Sequence, residues 1–123
     1  MNRTGMSVLL VDDNKATRQL VLRTLLQTEL AGVHVEEAEN GSDALAKLAD
    51  GEPDLILSDW RMPEMNGVEL LRELRSRGSA VKFGFVVSEA ASQSMRDKAF
   101  EAGAQFVLER PFSVARFRDL LSR

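Results

Sequence analysis

The chain contains no cysteine, which excludes disulfide bridges, zinc–thiolate sites and a thiol nucleophile. Its single histidine, His34, lies in the alternating stretch 33–36. The alternation predicts an edge strand with His34 on the solvent-facing side. That place is wrong for a Ser-His-Asp triad, so serine-hydrolase chemistry is not expected.

Long apolar runs and a strong charge bias are also missing. No apolar stretch approaches the length of a membrane span, and residues 1–6 lack the apolar core of a signal peptide. A net charge of -3 and a pI of about 5.2 give no reason to expect nucleic-acid binding. No Gly-x-x-x-x-Gly-Lys-Ser/Thr motif occurs, and no Gly-rich turn follows the first predicted strand. We therefore expect a cytoplasmic protein that binds neither membrane, nucleic acid nor nucleotide.

Five short apolar runs alternate with five helical patterns along the 123 residues. The predicted strands span 8–11, 33–38, 55–58, 81–87 and 106–108. The predicted helices span about 15–30, 42–49, 67–77, 93–102 and 114–121, with Ser113 as the last N-cap. Such short loops require βαβ crossovers. We expect one α/β domain over 1–123, with a core of about 7–121 and helices on both faces of a parallel sheet. It is either a free-standing domain or part of a longer chain.

Three acidic residues follow two of the predicted strands. Asp12 and Asp13 end the first strand, and Asp59 ends the third. If these strands are parallel neighbours, the three carboxylates meet at the edge where open α/β sheets hold their ligands. Clustered carboxylates repel one another, so the site either raises a pKa or recruits a cation. Oxygen ligands suit Mg²⁺ or another hard divalent metal.

The chain resembles the receiver domain of two-component response regulators, of the chemotaxis-regulator type, over about residues 7–121. The resemblance rests on five segments in a fixed order and spacing: Asp12-Asp13-Asn14, Asp59-Trp60-Arg61-Met62-Pro63-Glu64-Met65-Asn66-Gly67, Val87-Ser88, Gly103-Ala104 and Arg110-Pro111-Phe112. It implies a doubly wound, flavodoxin-like sheet of five parallel strands in the order 2-1-3-4-5. Periodicity alone does not give that order.

The resemblance also implies a phosphorylation site. Asp59 would accept a phosphoryl group from a sensor histidine kinase or a phosphotransfer protein, giving an acyl phosphate. Asp13, Asp59 and the backbone carbonyl of Arg61 would bind Mg²⁺, with Asp12 acting through a metal-bound water. Ser88 would donate its hydroxyl to a phosphoryl oxygen. The domain would catalyse only its own phosphorylation and dephosphorylation, and its output partner, a separate protein or a fused domain, stays open.

Three positions depart from the family pattern. Arg110 replaces the usual lysine; it keeps the charge, but its guanidinium is planar and wider. Glu89 stands where a small residue is usual. Val107 stands where an aromatic switch residue is usual, and the adjacent Phe106 is expected on the opposite face. A degenerate pseudo-receiver that works by protein contact without phosphorylation is therefore the alternative. An unrelated Mg²⁺-dependent phosphohydrolase would need a second acid and a cap, for which the chain has no room.

Residues around the site have simpler expected roles. Lys15 and Arg18 are expected on a solvated helix face, and Trp60 at the rim of the site. Met62 and Met65 are expected to pack in the loop after Asp59. Two backbone roles are expected in the same loop: Pro63 fixes φ and Gly67 admits unusual dihedral angles.

Overall fold

The strands and helices alternate strictly along the chain. The computed structural model describes residues 5–28, 32–87 and 90–121. Its elements are β1 (Ser7–Val11), α1 (Lys15–Leu26), β2 (His34–Ala38), α2 (Gly41–Leu48), β3 (Leu55–Ser58), α3 (Gly67–Ser76), β4 (Lys82–Val87), α4 (Gln93–Ala102), β5 (Phe106–Glu109) and α5 (Val114–Leu121). All pairings are parallel, and the sheet has the order β2-β1-β3-β4-β5. The doubly wound fold predicted from the resemblance is confirmed.

The central strands are apolar on both faces because helices cover both faces. Val8 and Leu10 of β1 join one core with residues of α1 and α5. Leu9 and Val11 join a second core with residues of α2, α3 and α4. In β3 every residue is buried. This continuous burial is the reason that β1 and β3 read as unbroken apolar runs in the sequence.

Side-chain caps fix the helices that begin beside the carboxyl ends of β1 and β3. Asn14 caps α1 by accepting the Thr17 N–H at 3.0 Å. Asn66 caps α3 in a reciprocal capping box with Glu69. A cap satisfies backbone N–H groups that have no partner inside the helix. The turns that carry Asp12, Asp13 and Asp59 are thereby attached to fixed helix ends.

Helix α1 is shorter than the sequence pattern predicts. It ends at Leu26 and is capped by Gln27, whose N–H donates to Arg23. The end predicted at Leu30 was therefore wrong, and Leu30 itself lies outside the described residues. Glycine commonly stops a helix, so the sequence predicts Gly32 as the residue that ends α1. Gly32 instead lies beyond the end of the helix, in the left-handed region with a φ of 73°.

The inner face of α1 also differs from the prediction. The helical spacing of Val21, Leu22, Leu25 and Leu26 predicts that they share one apolar face, but Leu26 is 60% exposed. Thr24 and Thr28 are buried instead, and their hydroxyls donate to the carbonyls of Leu20 and Leu25. These local bonds satisfy the hydroxyls and allow two polar residues inside, which hydrophobic periodicity does not anticipate.

The other boundaries agree with the predictions to within a residue or two. The elements that differ by one residue are β1, β2, α2, α3, β4 and β5. Ser113 accepts the Arg116 N–H at 3.0 Å, as expected for the N-cap of α5. Gly103 ends α4 in a left-handed conformation with a φ of 108°. Among the described residues, the helices lack the length and apolar character that crossing a membrane requires.

Candidate functional site

The three predicted acids meet at the carboxyl edge of the sheet. Val11 and Ser58 are paired in register, so Asp12 and Asp59 leave adjacent parallel strands side by side. The Asp59 N–H donates to the Val11 carbonyl at 2.8 Å, which extends the strand pairing by one more bond. One carboxylate oxygen each from Asp12, Asp13 and Asp59 lies within 4.8 Å of the others.

Burial makes Asp59 an unfavourable place for a negative charge. Burial first, then the neighbouring charge of Asp12, raises the pKa of Asp59 from 3.8 to about 6. The backbone N–H groups of Trp60 and Arg61 donate to the same carboxylate and offset part of this effect. The Trp60 bond measures 2.7 Å and holds one oxygen of Asp59 in place.

Asp12 and Asp13 differ in their access to solvent. Asp12 is only 6% exposed, whereas Asp13 is exposed. Burial first raises the pKa of Asp12, and the charge of Asp13 adds to this; the Asn14 N–H and the charge of Arg18 oppose them. The cluster therefore joins one buried, one half-buried and one exposed carboxylate.

The donor set fits a hard divalent cation. Carboxylate oxygens are the ligands that Mg²⁺ takes in proteins, and Mg²⁺ keeps several waters, so few protein ligands suffice. The raised pKa values of Asp12 and Asp59 show that the charges are poorly compensated by the protein alone. A bound cation would offset both the burial of these carboxylates and their mutual repulsion.

The loop after Asp59 is shaped by a close approach of Gly67. The Gly67 N–H donates to the Trp60 carbonyl at 2.9 Å. A Cβ at Gly67 would lie 2.2 Å from the Asp59 carbonyl oxygen and 2.6 Å from the Phe85 ring. The expectation that Gly67 supplies an unusual dihedral angle was wrong, because in this loop the left-handed φ, 69°, belongs to Glu64.

Trp60 is packed into the core more firmly than a rim residue. Its half-buried ring meets Phe85 edge to face at 4.8 Å, and Phe85 meets Phe83 in the same way at 5.2 Å. Met62 is buried and Met65 packs against the same core, as expected for loop packing. The indole directly after Asp59 is therefore held by this core.

Arg18 does not lie on a solvated helix face as predicted. Its side chain is only 12% exposed and forms an ion pair of 3.0 Å with Glu37 of β2. Its Nη1 also donates to the backbone carbonyl of Asp12 at 2.6 Å. The sequence contains a signal for the contact with Asp12: Arg18 lies four residues after Asn14, the N-cap of α1. Side chains on a helix point back over the preceding turn, which here leads to Asp12. Lys15 is exposed, as predicted.

In β5, Val107 stands where the family usually has an aromatic residue, and it and the adjacent Phe106 point to opposite faces of the sheet. Val107 is buried in the core formed with α3 and α4, and Phe106 in the core formed with α1 and α5. A Cβ at Gly84 would lie 2.2 Å from the Phe106 ring, so the ring occupies the space above that glycine. The expectation that Phe106 faces away from Val107 is confirmed.

Three further residues singled out in the sequence are less completely placed. Arg110 is exposed, and its guanidinium carbon lies 5.9 Å from the centroid of the Phe112 ring. Ser88 and Glu89 lie outside the described residues.

His34 is exposed and pairs in register with Ser7 at the opposite end of β1 from the acids, as the sequence predicts.

The chain is similar in sequence to known proteins. Residues 8–122 match the family described as the response regulator receiver domain. The chain is 35% identical to the phosphate regulon transcriptional regulatory protein PhoB of Pseudomonas aeruginosa, over 97% of this chain and 53% of that protein. It is 37% identical to the response regulator MprA of Mycobacterium sp. (strain KMS), over 94% of this chain and 50% of that protein. The chain thus spans about half the length of these curated relatives.

The fold has solved counterparts. The structure of the chemotaxis protein CheY4 of Vibrio cholerae superimposes with a TM-score of 0.83 at 32% identity, covering 97% of this chain and 98% of that one. The receiver domain of the putative response regulator NarL from Mycobacterium tuberculosis superimposes with a TM-score of 0.84. At 24% identity, over 96% of this chain and 94% of that one, the second likeness shows the fold alone.

Proposed function

This chain belongs to the response regulator receiver domain family, and from that premise we propose that it accepts a phosphoryl group on Asp59. The observation that carries the proposal is the cluster of Asp12, Asp13 and Asp59, with carboxylate oxygens within 4.8 Å. Asp59 ends the middle strand of the sheet. Receiver domains are signalling modules, so the only reactions assigned to the chain are its own phosphorylation and dephosphorylation.

In the proposed reaction a carboxylate oxygen of Asp59 attacks the phosphorus of a phosphohistidine. A P–O bond forms, the P–N bond breaks, and the histidine leaves with the electron pair. The 2.7 Å bond from the Trp60 N–H holds one oxygen of Asp59 and thereby restrains the carboxylate plane. With a pKa of about 6, Asp59 is mostly ionised at neutral pH and available as a nucleophile.

A magnesium ion is the proposed cofactor. Asp13, Asp59 and the Arg61 carbonyl would hold it directly, and Asp12 would hold one of its waters. When bound, the ion supplies positive charge for the phosphoryl oxygens. The exposed Asp13 gives the cluster an opening to solvent.

Two further residues complete the proposed site. The Ser88 hydroxyl would donate to a phosphoryl oxygen, and the Arg110 guanidinium would neutralise charge on the phosphorylated cluster. Support for Arg110 is its exposure and its freedom from a carboxylate partner among the described contacts, where it lies over the Phe112 ring. Fork-shaped guanidinium groups bind phosphoryl oxygens well.

The proposal extends to partners and setting. We place residues 1–123 as one receiver domain in the cytoplasm, acting downstream of a sensor histidine kinase or phosphotransfer protein. Its output passes to a separate protein or to an output domain of a longer chain. The similarity to two regulators about twice as long supports the second possibility.

A pseudo-receiver that acts without phosphorylation is the second candidate. Val107 favours it, because no aromatic ring occupies that buried position, and the neighbouring Phe106 ring is packed over Gly84 on the other face. An aromatic residue of β5 is therefore not placed to turn inward when a phosphoryl group arrives.

Amide chemical shifts separate the two candidates. Beryllofluoride, which stands in for a phosphoryl group on a carboxylate, is added with Mg²⁺ to the wild type and to Asp59→Asn. We expect shifts at the ends of β1, β3 and β4, at Arg110 and along α4 in the wild type alone. The phosphorylation proposal fails if the wild type does not respond, and the pseudo-receiver then becomes the preferred function.

A further inference from the structure

Arg18 connects three parts of the molecule beside the acidic cluster. It belongs to α1, it donates from Nη1 to the Asp12 carbonyl at 2.6 Å, and it donates from Nε to Glu37 of β2 at 3.0 Å. The Arg18 side chain is 12% exposed and that of Glu37 is 36% exposed, so the guanidinium end of these bonds is the part shielded from water. Charge-assisted bonds of this kind are stronger than neutral ones.

The Arg18 bond is one of three that fix Asp12. The Asp12 N–H donates to the Ala38 carbonyl of β2 at 3.1 Å. The carboxylate Oδ1 accepts the Asn14 N–H at 2.8 Å. Arg18 takes the remaining backbone group, the carbonyl, which begins the peptide plane leading into Asp13. The direction of that plane determines where the Asp13 carboxylate lies relative to Asp59.

We propose that Arg18 is a positioning residue of the acidic site: its guanidinium, anchored by Glu37, holds the Asp12–Asp13 backbone so that both carboxylates face Asp59. This inference rests on the proposed Mg²⁺ site and adds a residue to it that touches neither metal nor phosphoryl group. Such supporting contacts orient metal ligands and strongly influence metal affinity.

The charge of Arg18 works against this effect, which makes the inference testable by its sign. Arg18 lines the same small cavity as Asp12 and Asp59. A cation at that place repels a divalent metal, and its removal would also free the negative charge of Glu37. An Arg18 that acted only through its charge would therefore weaken Mg²⁺ binding, and its loss would tighten it. If Arg18 instead positions the acidic residues, its removal should weaken Mg²⁺ binding.

The test compares Mg²⁺ affinities of the full chain and three variants, Arg18→Ala, Arg18→Lys and Lys15→Ala. Binding is followed by the fluorescence of Trp60, the single tryptophan, and by titration calorimetry. We expect Arg18→Ala to bind Mg²⁺ roughly tenfold more weakly. Arg18→Lys keeps the charge but not the two-bond fork, so it should also bind more weakly than the wild type. Lys15→Ala removes an exposed charge from the same helix and should stay within about twofold.

The outcomes separate this inference from the function on which it rests. If the wild type itself does not bind Mg²⁺, the proposed metal site is wrong. If the wild type binds and both Arg18 variants bind as tightly or more tightly, the positioning role is overturned. Urea unfolding identifies the variants that are folded. Should Arg18→Ala not fold, Arg18→Lys decides alone: weaker binding at unchanged charge supports the inference, and equal binding contradicts it.

Discussion

Asp59 carries a charge that the metal-free fold opposes. Its pKa is raised from 3.8 to about 6, chiefly by burial, so folding disfavours the ionised form. The penalty is absent well below pH 4, grows as the pH rises between 3.8 and 6, and is complete above that range. Ionised Asp59 therefore lowers the free energy of unfolding, and the loss is greatest at the pH values where its carboxylate is ionised.

Replacing Asp59 by asparagine should stabilise the metal-free protein at pH 7. The amide still accepts the Trp60 N–H and carries no charge. After allowance for solvent screening, we expect a gain of about 1–2 kcal/mol in the free energy of unfolding. Urea unfolding in EDTA measures it, and the gain should largely vanish at pH 4. A variant less stable than the wild type at pH 7 would contradict the electrostatic account.

The sequence indicates some of these residues and not others, for a physical reason. The ends of β1 and β3 are predictable because a buried strand followed by a carboxylate is a local pattern. The Arg18–Glu37 ion pair and the requirement for glycine at position 67 depend on how closely another element approaches, which no local pattern contains. Position 67, for example, requires glycine because a Cβ there would lie 2.2 Å from the Asp59 carbonyl oxygen.

At the scale of the element, a glycine in β4 and a phenylalanine in β5 have complementary shapes. Gly84 and Phe106 are paired in register, and the Phe106 ring fills the space that a Cβ on Gly84 would need. The Phe106 ring is therefore held on the face of the sheet that α1 and α5 cover. Strand existence and alternation were predictable from sequence, whereas this complementarity across strands was not.

A double-mutant cycle tests that complementarity. We expect Gly84→Ala alone to cost about 1–3 kcal/mol, because the methyl group collides with the ring. Phe106→Leu removes the ring, so in that background Gly84→Ala should cost at least about 1 kcal/mol less. Equal costs in both backgrounds, measured by urea unfolding, would show that the ring does not restrict position 84.

At the scale of the whole molecule, the order of the strands creates the site. Because β1 and β3 are neighbours, acids that are 46 or 47 positions apart in the chain meet within 4.8 Å. Hydrophobic periodicity predicted the alternating elements but could not choose among strand orders. The order came from the resemblance carried by the motifs. The end of α1 was mispredicted because the apolar pattern does not show that the chain leaves the helix at Gln27, where the Thr28 hydroxyl donates to the Leu25 carbonyl.

The central claim is that Asp59 alone accepts the phosphoryl group in the assembled domain, and intact-mass spectrometry tests it most directly. The wild type, Asp59→Asn and the matched control Asp50→Asn, which changes an exposed carboxylate, are treated with acetyl phosphate and Mg²⁺. We expect one phosphoryl adduct on the wild type and on Asp50→Asn, and none on Asp59→Asn or on any sample in EDTA. An unmodified wild type, or equal labelling of Asp59→Asn, would contradict the account.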